Sequence, residues 1–291
     1  MQELTPDEFP ELLKEIPDPP EALFLKGKLP PQGHKLLSVV GSRKYTEYGK
    51  HMCESLITDL AGAPLSIISG LALGIDGIAH KSALRAGIHT IAVPGSGLGN
   101  SVLYPSSHKQ IAKSILENGG ALISPFPENF KATPYSFPER NRIMAGMSHA
   151  VLVIEAQERS GTLITSRLAV EYNRDVLTIP HPLTSPTGKG PHMLLRLGAT
   201  LIRDGNDILE ALGIQKEEMT NASPTLEHLS PDEKKAVALL FKPISKNELL
   251  EQLNMPIGKA TMLITTLELK GIVVESLGLL YLQTIQEKQQ Y

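Results

Sequence analysis

The chain has 291 residues, which on size alone suggests about two domains. Hydrophobic residues at 41% and charged residues at 20% fit a soluble globular protein. With 28 Lys and Arg against 31 Asp and Glu, the net charge of −3 excludes nucleic-acid binding by bulk positive charge, so any such binding needs a local cluster.

Residues 1–35 carry Pro6, Pro10, Pro17, Pro19, Pro20, Pro30 and Pro31. They read as a short helix over 8–16 followed by an extended, proline-rich lead-in. From Leu36 the pattern changes to short apolar runs at 36–40, 65–69, 90–93, 121–124, 150–154 and 176–179. The later runs are almost continuously apolar, as strands covered on both faces must be. Helical patterns separate them, at 47–61, 74–86, 106–118, 140–146 and 162–173. This βαβ alternation predicts an α/β fold, a Rossmann-like doubly wound and mostly parallel sheet. A last unit at 191–197, 200–202 and 206–212 closes a domain spanning 36–214.

Residues 215–225 are polar and read as a linker. Over 226–291 the texture becomes helical again, with helices at 233–240, 245–253 and from Pro256 to about Lys270. Ser245 with Glu248 three residues on makes a capping-box pattern. Two short strands, 271–275 and 279–282, follow around Ser276-Leu277-Gly278. Three helices and a hairpin outline a small C-terminal winged-helix domain. From residue 225 on it holds seven Lys, no Arg and eight acids, which favours protein contact or regulation over duplex reading.

Ligands of an open parallel sheet bind beyond the carboxyl ends of its strands. Four such loops carry glycine or serine: Gly41-Ser42-Arg43, Ser69-Gly70 through Asp76, Pro94-Gly95-Ser96-Gly97-Leu98-Gly99, and Ser160-Gly161-Thr162. Glycine lets backbone approach a phosphate, and a helix start offers free amides. Gly70 and Gly74 suit a tight turn as well as they suit a ligand, and Asp76 reads as a first-turn acid rather than a catalyst.

The densest signal is Phe137-Pro138-Glu139-Arg140-Asn141-Arg142. Arginine forks match phosphate oxygens, and an aromatic face stacks on any base. The flanking prolines place Phe137 in a loop and favour ligand contact over the core. One of Arg140 and Arg142 is free to pair with an acid, Glu139 or Glu155, because the two cannot face the same way.

No catalytic constellation is legible. The histidines are scattered, with no metal-ligand spacing, no cofactor is indicated, and Cys53 sits in a helix pattern as an inert core thiol. That single cysteine excludes a disulfide framework and suggests a reducing compartment. No apolar run is long enough to span a bilayer, and the acidic, weakly apolar first residues are no signal peptide, so a cytoplasmic protein is expected. A phosphoribohydrolase-like, nucleotide-hydrolysing enzyme is the competing reading. It needs a Pro-Gly-Gly-x-Gly-Thr loop and a following glutamate, and the loop at 94–99 has neither. The spacing of Gly95, Gly97 and Gly99 also misses the dinucleotide fingerprint.

Taken with Tyr104-Pro105, Val153-Ile154-Glu155-Ala156 and Leu197-Gly198-Ala199, these segments resemble the DNA-processing protein A family (DprA, also called Smf) over about 19–212. The resemblance implies a non-enzymatic single-stranded-DNA-binding protein that acts as a homodimer and loads the recombinase RecA onto incoming strands in natural transformation. It implies DNA contact by Gly41, Ser42, Arg43, Ser69, Gly70, Phe137, Arg140, Asn141, Arg142, Ser160, Gly161 and Thr162, with Lys109 added by its position after Tyr104-Pro105. The chain departs from the family pattern at Asn100, His108, Pro125, His181 and His192.

Overall fold

The apolar runs become the centre of one sheet. The structure is a computed structural model that describes residues 1–158, 160–215, 230–240, 244–269, 272–276 and 279–282. Contacts divide the chain into two units, Met1–Thr220 and Asn221–Tyr291. In the first, β3 (Lys35–Val40), β4 (Leu65–Ser69), β5 (His89–Ala92), β6 (Ala121–Ser124), β7 (Ala150–Val153), β8 (Asp175–Thr178) and β9 (Thr200–Leu201) run parallel. The spatial order is β6-β5-β4-β3-β7-β8-β9. The chain therefore winds outward from β3 to β6, returns to the other side of β3, and winds outward again. The reversal between β3 and β7 makes the doubly wound topology and opens a crevice at that point.

Strand alternation sorts the two faces. Leu37, Val39, Leu152 and Ile154 join Cys53, Leu56 and Ile57 of α2 (Glu47–Asp59), with α3 (Ile75–Arg85) and α8 (Gly205–Ala211) on the same side. Leu36, Val40, Val151 and Val153 point the other way, toward α5 (Ser136–Met147), α6 (Thr162–Glu171) and α7 (Lys189–Arg196). α4 (Lys109–Glu117) packs Ile111 and Ile115 with Leu122 of β6 in a third cluster. Each fully buried Leu or Ile of these layers contributes about 1.5–3 kcal/mol. Among the described residues no helix is long and apolar enough to cross a membrane.

The proline-rich start is not a lead-in. Its β1 (Gln2–Leu4) and β2 (Leu23–Gly27) extend the sheet beyond β6 as antiparallel strands. A 3-10 turn (Pro6–Glu8) and a short helix α1 (Glu11–Lys14) stand where one helix over 8–16 was expected. The reason is period two hidden among prolines. Leu23 and Leu25 are buried while Phe24 and Lys26 are less so, and Leu13 and Ile16 dock against Gly146 of α5.

The second unit has α9 (Pro231–Leu239), β10 (Ile244–Ser245), α10 (Lys246–Leu253), α11 (Ile257–Leu269), β11 (Val273–Ser276) and β12 (Leu279–Leu282). Its strands pair antiparallel in the order β10-β12-β11. Ala236, Leu249, Leu253, Ile264 and Leu267 form its core. Ser245 caps α10 by accepting from the Glu248 amide at 3.2 Å, but the reciprocal capping box is at Ser230 and Glu233, one helix earlier. The expected linker lies, apart from Gln215, outside the described residues, as do Leu277 and Gly278, expected between the last two strands.

Candidate nucleic-acid interface

The crevice between β3 and β7 is lined by the loops that follow those two strands. After β3, the Ser42 hydroxyl donates to the Lys44 carbonyl at 2.7 Å and accepts the Lys44 amide at 3.1 Å. This tight turn leaves Arg43 exposed at its tip. After β7, Ser160 Oγ accepts the Thr162 amide at 3.2 Å, and Thr162 Oγ1 donates across the crevice to the Gly41 carbonyl at 3.2 Å. Gly161 precedes α6 with open space around it. Phe137, Arg140 and Asn141 of α5 complete an open cleft of about 500 Å³.

A buried carboxylate fastens the Arg43 loop. Glu155, fully buried just past β7, accepts from the Thr46 amide at 2.9 Å, Thr46 Oγ1 at 2.6 Å and Thr187 Oγ1 at 2.9 Å. Thr46 Oγ1 in turn accepts the Gly49 amide at 3.1 Å and so caps α2. Hydrogen bonds to a charged group contribute about 1.5–3 kcal/mol each. Sequence reasoning placed Glu155 in a motif without this role.

The three arginines have three different fates. Two residues apart on a helix, Arg140 and Arg142 point in nearly opposite directions. Arg140 is 5% exposed; its Nη1 donates to the carbonyls of Gly70 and of Val93 (2.7 Å), and Nε donates to Asn141 Oδ1 at 3.0 Å. Arg142 turns away from the cleft to Asp18 and Glu139, each at 2.9 Å. The question of which arginine pairs with an acid is answered: Arg140 forms the cleft wall with its head committed to backbone, and Arg142 is the one ion-paired with Glu139. Arg43 is exposed, its Cζ 5.2 Å from the centroid of the Phe137 ring. Lys44 beside it also lines the cleft and was missed, because a lone lysine after a turn has no signature.

Asp76 and Arg140 grip the peptide of Gly70 between them. Asp76 Oδ2 accepts the amides of Gly70 at 3.1 Å and Ala72 at 3.3 Å, while the Gly70 carbonyl faces Arg140. A Cβ at position 70 would overlap both side chains, so glycine is required by close approach. Burial pushes the Asp76 carboxyl above its usual range, with Arg140 pulling against that shift. Asp76 therefore holds a loop rather than merely facing a helix dipole.

The other expected contacts are divided. Phe137 is on the first turn of α5 and not in a loop. Ser69 is fully buried, donating its hydroxyl to the Val39 carbonyl at 2.7 Å, and does not reach the cleft. Gly70 lines a small adjoining niche with Leu73, Tyr104 and Phe137. Lys109 is exposed at the start of α4, outside the cleft. The glycine loop after β5 is closed over. The Gly97 amide donates to the Phe130 carbonyl at 2.9 Å and the Gly99 amide to the Glu128 carbonyl at 2.8 Å, while Lys26 Nζ reaches the Leu98 carbonyl at 2.8 Å. The amides of Gly97 and Gly99 are spent within the protein.

His80, His108, His181 and His192 are structural in their contacts. His108, His181 and His192, three of the departures noted above, each bond a backbone carbonyl, of Leu71 (2.9 Å), Ile154 (2.8 Å) and His181 (2.9 Å). His80 is fully buried against Thr90 Oγ1 at 2.8 Å, and burial lowers its pKa to about 3. Burial likewise raises the Cys53 thiol well above its ordinary range, which keeps it inert. Among the described residues no group of three or more His, Cys, Asp or Glu could hold a metal ion.

Comparison with known proteins assigns this architecture. Residues 2–213 match the family described as DNA recombination-mediator protein A. The chain belongs to that family. It is 39% identical over 272 residues to the protein Smf of Escherichia coli K12, covering 90% of this chain and 72% of that one. To the DNA processing protein DprA of Streptococcus pneumoniae R6 it is 40% identical over 203 residues, covering 70% and 71%. The X-ray structure of the S. pneumoniae DprA superposes with a TM-score of 0.67 at 38% identity, over 72% of this chain and 73% of that one. A Helicobacter pylori member, solved to describe its binding of single-stranded DNA, gives a TM-score of 0.64 at 28% identity, over 73% and 96%.

Proposed function

We propose that this protein binds single-stranded DNA across the carboxyl edge of its sheet, with the phosphate backbone passing through the β3–β7 crevice. One observation carries the reading: Arg43, exposed at the tip of a turn fastened at both ends, projects into an open cleft at the topological switch point of a family whose H. pylori member binds single strands. Guanidinium and loop amides suit phosphate oxygens, and a local cation reconciles binding with a net charge of −3. A homodimer would offer two clefts to one strand and raise avidity. In that form the protein protects incoming DNA in the cytoplasm and passes it to RecA in transformation and recombination. The smaller unit, with three helices and a three-stranded antiparallel sheet among its described residues, serves as a winged helix for protein contact. The sealed loop after β5 speaks against the nucleotide-hydrolysing alternative, which needs that loop open to its ligand.

The decisive experiment measures oligo-dT and duplex binding at two salt concentrations for the wild type and Arg43→Ala. Losing a charge-assisted contact predicts about 10- to 150-fold weaker oligo-dT binding, and a salt slope smaller by about 1. Unchanged affinity and slope would overturn the assignment of the cleft.

A further inference from the structure

We infer that Glu155 strengthens DNA binding although it is an acid: it is a positioning residue that sets the Arg43 turn from behind and does not touch the strand. The inference rests on the single-stranded-DNA reading and adds a residue to that site.

The turn has two anchors. At its start the Gly41 carbonyl accepts Thr162 Oγ1 at 3.2 Å and the Ser42 carbonyl accepts the Ile75 amide at 3.2 Å. Arg43, Lys44 and Tyr45 follow, all exposed. The far anchor is Thr46, and Glu155 holds it twice, Oε2 accepting the Thr46 amide at 2.9 Å and Oε1 accepting Thr46 Oγ1 at 2.6 Å. The cation offered to a phosphate thus sits on a short span between a fixed point and a carboxylate. A span tied at one end only has more conformations to lose when a ligand orders it, and that loss is subtracted from affinity.

Glu155 is itself held in place. It is fully buried, and Thr187 Oγ1, on the loop after β8, donates to its Oε1 at 2.9 Å. The first turn of α2 presses on it, since a Cβ at Gly49 would lie 2.3 Å from the Glu155 Cδ. A helix N-terminus favours a negative charge, and hydrogen bonds to a charged group are strong ones. Gln157, two residues on, lines the cleft, while Glu155 does not. The acid is therefore placed to order the turn without presenting its oxygens to a phosphate.

The two effects open to this carboxylate have opposite signs. A bare negative charge near a polyanion repels it, so removing the charge tightens binding. An anchor of Arg43 favours binding, so removing the anchor weakens it. Its burial and its bonds to Thr46 and Thr187 make it an anchor.

The test titrates the full chain with fluorescent oligo-dT at several salt concentrations. Glu155→Ala is expected to bind more weakly, with the about 10- to 150-fold loss expected of Arg43→Ala as its ceiling, and with a salt slope smaller by up to about 1. Glu155→Gln still offers an oxygen to the Thr46 amide and should recover most of that loss. Because Glu155 acts through Arg43, the double variant Glu155→Ala, Arg43→Ala should bind no more weakly than Arg43→Ala alone. Wild-type or tighter binding by Glu155→Ala, or additive losses in the double variant, would overturn the assignment; if Arg43→Ala alone still loses affinity, the DNA-binding reading stands. Should Glu155→Ala fail to fold, Thr46→Val decides. It removes the hydroxyl that bonds Glu155 and keeps the carboxylate, and it should weaken oligo-dT binding and lower the slope, with Thr46→Ser recovering both. Wild-type affinity and slope in Thr46→Val sink the idea. A wild type that binds no oligo-dT, or an Arg43→Ala variant that binds it as the wild type does, overturns both readings.

Discussion

Two glycine-bearing loops on the same edge of the same sheet have opposite fates. The loop after β3, with its partner after β7, stands open: Gly161 has nothing within van der Waals reach of a would-be Cβ, and Arg43 projects into solvent. The loop after β5 is shut, because Gly97 and Gly99 press against the backbone of residues 127–128 and their amides are consumed by carbonyls at 128 and 130. In the first region Gly161 leaves room for a ligand while Gly41 makes room for Ile75, and in the second Gly97 and Gly99 leave room only for the protein itself. The difference follows from topology. Only at β3 and β7 do the connections leave in opposite directions, so only there does the edge gape.

The largest effect that bears on this contrast comes from the wall between the two regions. Arg140→Ala leaves Asp76 buried without its cation and the Gly70 and Val93 carbonyls without their donor, and is expected to cost about 3–5 kcal/mol in urea unfolding. A loss below 1 kcal/mol would mean the wall is not held as described. Next comes Gly97→Ala, whose methyl would overlap the Pro127 and Glu128 carbonyl oxygens; overpacking of this kind costs about 1–3 kcal/mol. Gly97→Ala protein that stays folded should retain its oligo-dT affinity, since the closed loop is not part of the cleft.

Mild acid tests the closed half from beneath. His80 on α3 bonds Thr90 of β5, and its folded pKa near 3 lies below the ordinary 6.5. Below 6.5 the unfolded chain takes up a proton that the folded one refuses, so stability is full above that pH and falls by about 1.4 kcal/mol per unit as pH drops toward 3. Unfolding measured between pH 7.5 and 5.5 should show a shallower pH slope in His80→Asn than in the wild type, and equal slopes would contradict the burial. The smallest effect is the mirror of Gly97→Ala. Gly161→Ala meets open space at ordinary helical angles and should change stability by less than about 1 kcal/mol, with any gain coming from a stiffer unfolded chain. Its oligo-dT affinity should nevertheless fall, because the methyl projects into the cleft. A stability loss matching that of Gly97→Ala would erase the distinction between the loops.

Much of this was legible in the residues. Parallel strands buried on both faces announce themselves as continuous apolar runs, and every central strand from β3 to β8 was found that way. The turn at Gly41-Ser42-Arg43 and the helix start at Gly161 were found because glycine and serine directly after a strand mark a sharp change of chain direction. What the motif could not say was which of its two arginines faces where. Arg140 and Arg142 sit in one motif, yet the helical turn sends one into the wall and the other to Asp18, 124 residues away. β2 escaped because period-two alternation over five residues is weak beside seven prolines.

The sequence by itself determined the doubly wound sheet, the loops at its carboxyl edge and the family, because periodicity and turn chemistry are local properties of the chain. Tertiary structure alone decided which loop is open and which arginine is exposed. Lys26 of the unforeseen β2 helps to close the loop after β5, and Gly95 and Arg43 both lie against the Phe137 ring. Those contacts join segments up to about a hundred residues apart, and only the packed fold brings them within hydrogen-bond or van der Waals range.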